Sequence, residues 1–403
     1  MDTTELLEAQ ESLIAGSLAG VDDGVLLRRL YERLCAGGIP LWRVMVGMEE
    51  LHPLVEGRSA IWVRGDAETV MKPYTRAEWS TREEEWQRSP YYRLHLDKAT
   101  RLRRRRGDDF RQGEFPIVDE LFDKGGADYL AYRLPYPAVT QTSETDCLFA
   151  SWASDSSGGF SDADLTVIDR LMPVVSLVLR SRSLVRSAEN LMTTYLGRDA
   201  GKRVLCGQIE RGKTEKLKAA IWFSDLSGFS RIADTEPDKI VPLLNDYADC
   251  QVAAIHAEGG QVLKFIGDGI LAIFPIDDQA AACKRALAAA ETALARQAEV
   301  NKGRAQKGLP VTRFYLGLHL GEVLYGNIGS LDRLDFTVVG PAVNEASRIA
   351  QLCRSVERDL VVSSAFAKAA RAREARLVSL GRYALRGVAR AQEVFTLDVA
   401  GPS

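Results

Sequence analysis

Two hydrophobic textures divide this chain, and the change falls near Leu217. Beyond it, short apolar runs alternate with amphipathic stretches. Ala219-Ala220-Ile221-Trp222 opens a run that predicts a buried strand over 219–224. Ile240, Leu243, Leu244, Tyr247, Val252 and Ile255 recur at helical spacing and predict a helix over 236–257. After Gly259-Gly260, the runs Gln261–Ile266 and Ile270–Phe274 flank Gly267-Asp268-Gly269, which predicts a β-hairpin with an acidic tip. An alanine-rich helix over 278–301 follows, then strands over Arg313–His319, Glu322–Tyr325 and Asp335–Val339. A Gly340-Pro341 turn leads to a helix over 342–353. The last strands, Asp359–Val362 and Ala391–Val399, flank a short helix and a Gly381–Gly387 loop. Hairpins mixed with helices read as α+β.

The first half is quieter. Leu26, Leu27, Leu30 and Leu34 mark a helix that stops at Gly37-Gly38. Strand-like runs follow at Leu41–Val46, Ala60–Val63, Tyr129–Arg133 and Cys147–Trp152. The five arginines within Arg101–Arg106, flanked by Asp108 and Asp109, read as a solvated loop or helix face rather than a phosphate patch. His52, His95, Tyr91-Tyr92, Trp79 and Trp86 read as core or surface rather than as a ligand pocket. Ser154–Phe160 is a turn, and Ser161 caps a helix with Asp162 and Asp164 in its first turn. Leu165, Ile168, Met172, Val175 and Leu179 carry its stripe past Pro173, where a kink is expected. Gly158-Gly159-Phe160-Ser161 with Asp164 resembles the end of a GAF- or PAS-type sensor domain. That resemblance implies an α/β sensory unit over 1–183, open to a small-molecule ligand (a cyclic nucleotide, a metabolite or a chromophore) or to dimerisation alone. Residues 184–216 then form a helical linker and polar connector, whose helix, to Leu196, suits pairing with its twin from a second chain. Residues 217–403 form the third segment.

Composition narrows the classes. At 403 residues, two or three domains are expected, and 46 % hydrophobic residues suffice for their cores. A net charge of −3 gives no pull toward nucleic acid or an anionic membrane. No stretch approaches the roughly 18–20 apolar residues of a membrane span. The acidic Met1–Gly20 segment, with Asp2, Glu5, Glu8 and Glu11, suits an amphipathic helix rather than a signal peptide. The six cysteines are scattered without a Cys-x-x-Cys pair, which points to reduced thiols in a cytoplasmic protein. Four dispersed histidines argue against zinc.

The chemistry gathers at Phe223–Ser230. Asp225 sits at a strand end, where a carboxylate needs a cation or hydrogen-bond donors. Ser227, Gly228, Phe229 and Ser230 offer backbone N–H groups at a helix start, a setting that suits phosphate. Asp268, 43 residues on, occupies a second strand-turn junction. Alone, each Asp reads as a turn residue. Together they suit two divalent ions in phosphoryl transfer.

Four segments then resemble the catalytic domain of class III nucleotide cyclases, the adenylate and guanylate cyclases, over about Leu217–Leu397. Phe223–Phe229 and Lys264–Gly269 resemble the two metal motifs. His319–Val323 through Gly326–Gly329 resembles the central hairpin, and Phe336–Arg348 the segment of base and transition-state residues. The resemblance implies two Mg²⁺ (or Mn²⁺) ions on Asp225 and Asp268 with the Leu226 carbonyl, activating the ribose 3′-hydroxyl and holding the triphosphate. It implies that Lys264 and Thr337 read the base, Asn344 orients the ribose and Arg348 neutralises the α-phosphate. Lys264 donates to adenine N1 and has no acceptor for guanine, so ATP is the expected substrate. The Lys/Thr pairing is similar to a subclass that includes bicarbonate-responsive cyclases. Glu322 stands where some members place an Arg, which shifts phosphate contacts to other cations, including those of the connector. The two residue sets come from opposite protomers in the family, which implies a head-to-tail homodimer with two composite sites. A guanylate cyclase is the nearest alternative. A non-catalytic nucleotide-binding regulator would lack one of Asp225, Asp268, Asn344 and Arg348, and a diguanylate cyclase would need a different hairpin tip.

Overall fold

A computed structural model describes residues 1–136, 146–276, 278–371, 376–385 and 391–398. Of the expected features, Gly387, Val399 and the Trp79 side chain lie outside the described residues. The chain divides into two compact units, Met1–Leu191 and Met192–Ser403.

The first unit contains helices α1 (Thr3–Leu18) and α2 (Asp23–Ala36), then strands β1 (Arg43–Glu49), β2 (Val55–Val63) and β3 (Lys72–Thr75). Three short helices, α3 (Arg76–Ser80), α4 (Glu83–Gln87) and α5 (Pro90–Leu96), precede β4 (Arg101–Arg105). Helix α6 (Pro116–Asp123), strands β5 (Asp128–Pro135) and β6 (Cys147–Ser154), and helix α7 (Asp162–Leu196) complete it. The six strands form an antiparallel sheet in the order β3-β2-β1-β6-β5-β4. Alternation splits its faces. Val44, Val46, Trp62, Leu130, Ala150 and Trp152 pack against α1, α2 and α7. Tyr129, Ala131 and Ala153 face Leu94 of α5 and Val118, Leu121 and Phe122 of α6.

One expectation is corrected here. The arginine run is the edge strand β4, not a loop or a helix face. Its charges are tied down: Arg103 donates to Asp128 through two nitrogens at 3.1 and 2.6 Å, Arg104 pairs with Glu114, and Arg101 with Asp169. Partnered arginines leave the strand edge solvated yet fixed. The stretch 184–196 continues the preceding helix and ends at Leu196, as the sequence reading has it. Helix α7 runs unbroken for 35 residues through Pro173, and its last turn already belongs to the second unit.

The second unit opens with α8 (Arg198–Leu205) after Gly197, then β7 (Thr214–Leu226), α9 (Phe229–Thr235) and α10 (Ile240–Ala257). The hairpin β8 (Gln261–Ile266) and β9 (Gly269–Pro275) follows, then α11 (Gln279–Gln306), β10 (Phe314–Gly329), β11 (Leu334–Val339) and α12 (Pro341–Ser355). Strand β12 (Leu360–Ser363), α13 (Ser364–Arg371), β13 (Leu377–Tyr383) and β14 (Gln392–Leu397) end it. The sheet runs β13-β14-β12-β10-β7-β9-β8, with β11 paired to the far half of β10. Ala220 and Trp222 face α10, α11 and α13, whereas Ala219 and Ile221 face α8 and α12. The polar connector is therefore partly structured: Ala200 of α8 is buried against the sheet, and Asp199 accepts from the Tyr325 hydroxyl at 2.9 Å.

Candidate active site

Strand β7 presents Asp225 one residue before its end, opposite Tyr315 of β10. The hairpin tip reaches it because of glycine. Gly267 has φ +61°, and the pairing of Ile266 with Gly269 leaves Gly267-Asp268 as a two-residue loop of the II′ pattern. A Cβ on Gly269 would collide with the Ser224 carbonyl. Only a bare Cα lets the tip lie against the end of β7. There the Leu226 N–H donates to Asp268 Oδ2 at 3.1 Å, which brings the two acids together.

Partial burial, and then the neighbouring Asp268 carboxylate, push the Asp225 carboxyl up to about 6. Two carboxyls so placed repel each other when both are ionised. A hard divalent cation removes that repulsion. Among the described residues no cluster of three or more His, Cys, Asp or Glu side chains surrounds a common point. Two carboxylates suit Mg²⁺, which commonly takes one or two from protein and completes its shell with water and substrate phosphate.

The phosphate cradle is smaller than the sequence suggested. Ser227 is committed at every polar atom: its N–H donates to the Arg313 carbonyl at 2.8 Å, its carbonyl accepts from Thr312 Oγ1 at 2.6 Å, and its hydroxyl contacts the Tyr315 hydroxyl at 3.2 Å. The Ser227 amide is thus withdrawn from the expected set. Gly228, at φ +69°, turns the chain into α9, whose first amides at Phe229 and Ser230 have no acceptor within the helix.

Asn344 and Arg348 stand one turn apart on α12, Asn344 exposed and Arg348 half-buried. Their seat is built by two glycines on β10. A Cβ at Gly317 would strike the backbone of Ala346 and Ala350, and one at Gly321 would strike Ala342 Cβ. The sequence reads Gly321 as a break between two strands. It lies instead within the continuous 16-residue β10, where it admits the helix. Behind Asn344, the buried His319 lies 3.7 Å from Glu345, and burial lowers its pKa against the pull of that carboxylate.

Lys264, on the edge strand β8, forms an ion pair with Asp335 of β11. Thr337, two residues along β11, is 3 % exposed, and its hydroxyl is buried without a hydrogen-bond partner. Glu322 is paired with Lys216 at 2.7 Å, so that connector-side lysine already has a partner. Within one chain the site residues thus form two sets: Asp225, Asp268 and Leu226 beside Gly228–Ser230, and Lys264, Thr337, Asn344 and Arg348. Among the described residues no hydrogen bond or ion pair joins them. Asp335 and His319, which lie against Lys264 and Glu345, were not singled out from the sequence. Asp335 carried one signal, its two-residue spacing from Thr337 on a strand.

Residues 213–398 match the family model of the adenylate and guanylate cyclase catalytic domain. The chain is 33 % identical over 156 residues to an adenylate cyclase of Anabaena cylindrica, covering 38 % of this chain and 31 % of that protein. It is 30 % identical over 240 residues to an uncharacterized protein of Mycobacterium tuberculosis, covering 57 % and 40 %. The chain thus spans about a third to two fifths of the length of these relatives. Among solved structures, it is similar to the adenylyl cyclase CyaB from P. aeruginosa, with TM-score 0.43 and 21 % identity over 46 % of this chain and 95 % of that one. The guanylyl cyclase Cya2 aligns with TM-score 0.40 and 28 % identity over 46 % and 93 %.

Proposed function

With residues 213–398 in the family of adenylate and guanylate cyclase catalytic domains, we propose that this chain is an adenylate cyclase. It converts ATP to 3′,5′-cyclic AMP and pyrophosphate in a head-to-tail homodimer, under the control of its N-terminal unit. One observation carries the reading: the glycine-built hairpin tip presses Asp268 against Asp225 and raises the Asp225 carboxyl to about 6. Repelling acids held together by backbone geometry cost stability and repay it only when a cation arrives.

Asp225 and Asp268, with the Leu226 carbonyl, would hold two Mg²⁺ or Mn²⁺ ions, whose chemistry would be to acidify the ribose 3′-hydroxyl and neutralise the triphosphate. The amides of Gly228, Phe229 and Ser230 bind phosphate oxygens at the start of α9. Lys264 and the β11 strand of Thr337 grip the base. From α12, Asn344 orients the ribose, and Arg348 places a fixed guanidinium on the charge that grows at the α-phosphate. The second copy completes each site in this reading, with the metal set of one chain meeting the base and ribose set of the other.

The test incubates the full chain with ATP or GTP and Mg²⁺ or Mn²⁺ and identifies the cyclic product. Cyclic AMP from the wild type, and none from Asp225→Ala of unchanged fold, supports the reading. Cyclic GMP in excess makes the chain a guanylate cyclase instead. Nucleotide binding without turnover leaves a non-catalytic regulator.

A further inference from the structure

A cavity of about 510 Å³ lies within the first unit, lined by Arg182, Val185 and Arg186 of α7, Arg58 of β2, Met71 and Leu18. That volume holds a small organic molecule. Arg58 turns toward the helices because it shares a strand face with Ala60 and Trp62 of the core. The ion pairs at this cavity are lopsided. Asp23 accepts from Arg182 and Arg186, and Glu50 accepts from Arg58 and, at 3.3 Å, from the Asn190 side-chain amide. Both acids are thus answered. Arg182 is used up as well, donating to the Ser17 and Val21 carbonyls at 3.1 and 2.8 Å. The other two arginines keep donors in reserve. The Arg186 Nε is buried without a hydrogen-bond partner, 3.7 Å from Glu50 Oε1. Among the described residues Arg58 donates only through Nε, which leaves both of its Nη groups unclaimed. Because the two guanidiniums flank one carboxylate, their unused edges lie within reach of one ligand head.

We propose that this cavity binds a small organic carboxylate, its oxygens taken by Arg186 and Arg58 and its apolar body by Leu18, Met71 and Val185. A guanidinium offers paired N–H groups that match a carboxylate, and a buried N–H left without an acceptor is costly until one arrives. Leu18 and Val185 are otherwise exposed, and a ligand tail would cover them. Charge selects the same class. Three arginines face two buried acids, Asp23 and Glu50, a surplus of one positive charge. Asp22 also lines the cavity, but it is exposed, and its carboxylate caps α2 through the Gly24 and Val25 N–H groups. A single surplus charge suits a monoanion, whereas a phosphate monoester brings further negative charge beside two acids. The site uses no residue of the second unit, so it stands apart from the cyclase reading.

Calorimetric titration of the full chain, without nucleotide, tests the proposal with hexanoate, its neutral isostere hexanamide and inorganic phosphate. Hexanoate should bind saturably, and hexanamide and phosphate more weakly by roughly tenfold or more, the scale of a charge-assisted hydrogen bond. Arg186→Gln should weaken hexanoate by roughly 10- to 100-fold. That variant also loosens Asp23, so Ser181→Trp provides a second reading. Ser181 is exposed and lines the cavity, and an indole there should block hexanoate at an unchanged melting temperature. Absence of saturable hexanoate binding, equal binding of hexanamide, or full affinity in either folded variant overturns the proposal. Phosphate binding tighter than hexanoate also overturns it, because the site then recognises a phosphoryl group.

Discussion

One pair of carboxylates in the second unit, Asp225 and Asp268, is treated unlike the buried acids of the first. In the first, the buried acids are answered by arginine. Asp128, with no exposed surface, accepts from Arg103 and from the Phe160 N–H at 2.9 Å. Asp23 is paired with Arg182 and Arg186, and Glu50 with Arg58. In the second, Asp225 and Asp268 face each other with one backbone N–H between them. A fold can make either arrangement from the same side chain. Arginine partners make an acid part of the scaffold, and their absence beside a second acid leaves a demand that only a ligand meets.

That contrast can be broken by exchanging the consequences. Asp225→Asn removes the repulsion, so the metal-free chain should melt no lower at pH 7 while turnover falls by roughly a thousandfold or more, the scale of several kcal/mol from a lost metal ligand. Melting and cyclic-nucleotide assays on one preparation check both halves. A fall in both would make Asp225 a scaffold acid. Asp128→Ala should do the reverse, destabilising the first unit by about 3 kcal/mol as Arg103 and the Phe160 amide lose their acceptor. Denaturant titration reads this, and an unshifted midpoint contradicts it.

A gentler probe is pH. Asp225 is raised to about 6 in the folded chain, above its ordinary value, so protonation favours the fold. Its contribution is complete below about 4 and is lost as pH rises through 6. In chelator, the melting temperature of the second unit should therefore decline over that window, and Asp225→Asn should flatten the slope. Added Mg²⁺ should restore stability above pH 6. The smallest effect belongs to Arg101→Ala. Its pair with Asp169 is exposed on both sides, and its loss should cost less than about 1 kcal/mol in the same titration.

The sequence made the hairpin and its acidic tip legible because a Gly-Asp-Gly between apolar runs has few other foldings. It also placed both acids at strand ends. The α12 residues were legible through their one-turn spacing. What it hid depended on distant atoms. Gly317 and Gly321 look like interruptions along the chain, yet they are the places where a helix rests on an unbroken strand. The Ser227 amide looks free until Arg313, 86 residues on, claims it. Lys264 shows no partner within its own strand, because Asp335 arrives from β11. The arginine run resembled a solvated loop since Asp128, Glu114 and Asp169 neutralise it from three other segments. Gly159 belongs with these. Its φ of +64° and the closeness of Asp128 Oδ2 exclude a side chain there, a constraint set by a residue 31 positions earlier.

Strand β10 carries the glycine seat of α12 in its first half and pairs with β11 in its second, Leu324 to Gly329 against Val339 to Leu334. Thr337 of β11 and Arg348 of α12, to which the proposal gives base and phosphate, are therefore mounted on a single strut. Any bend in it misaligns both at once, so a wrongly docked purine would be handled slowly as well as held weakly, and fidelity would come from mechanics in addition to affinity.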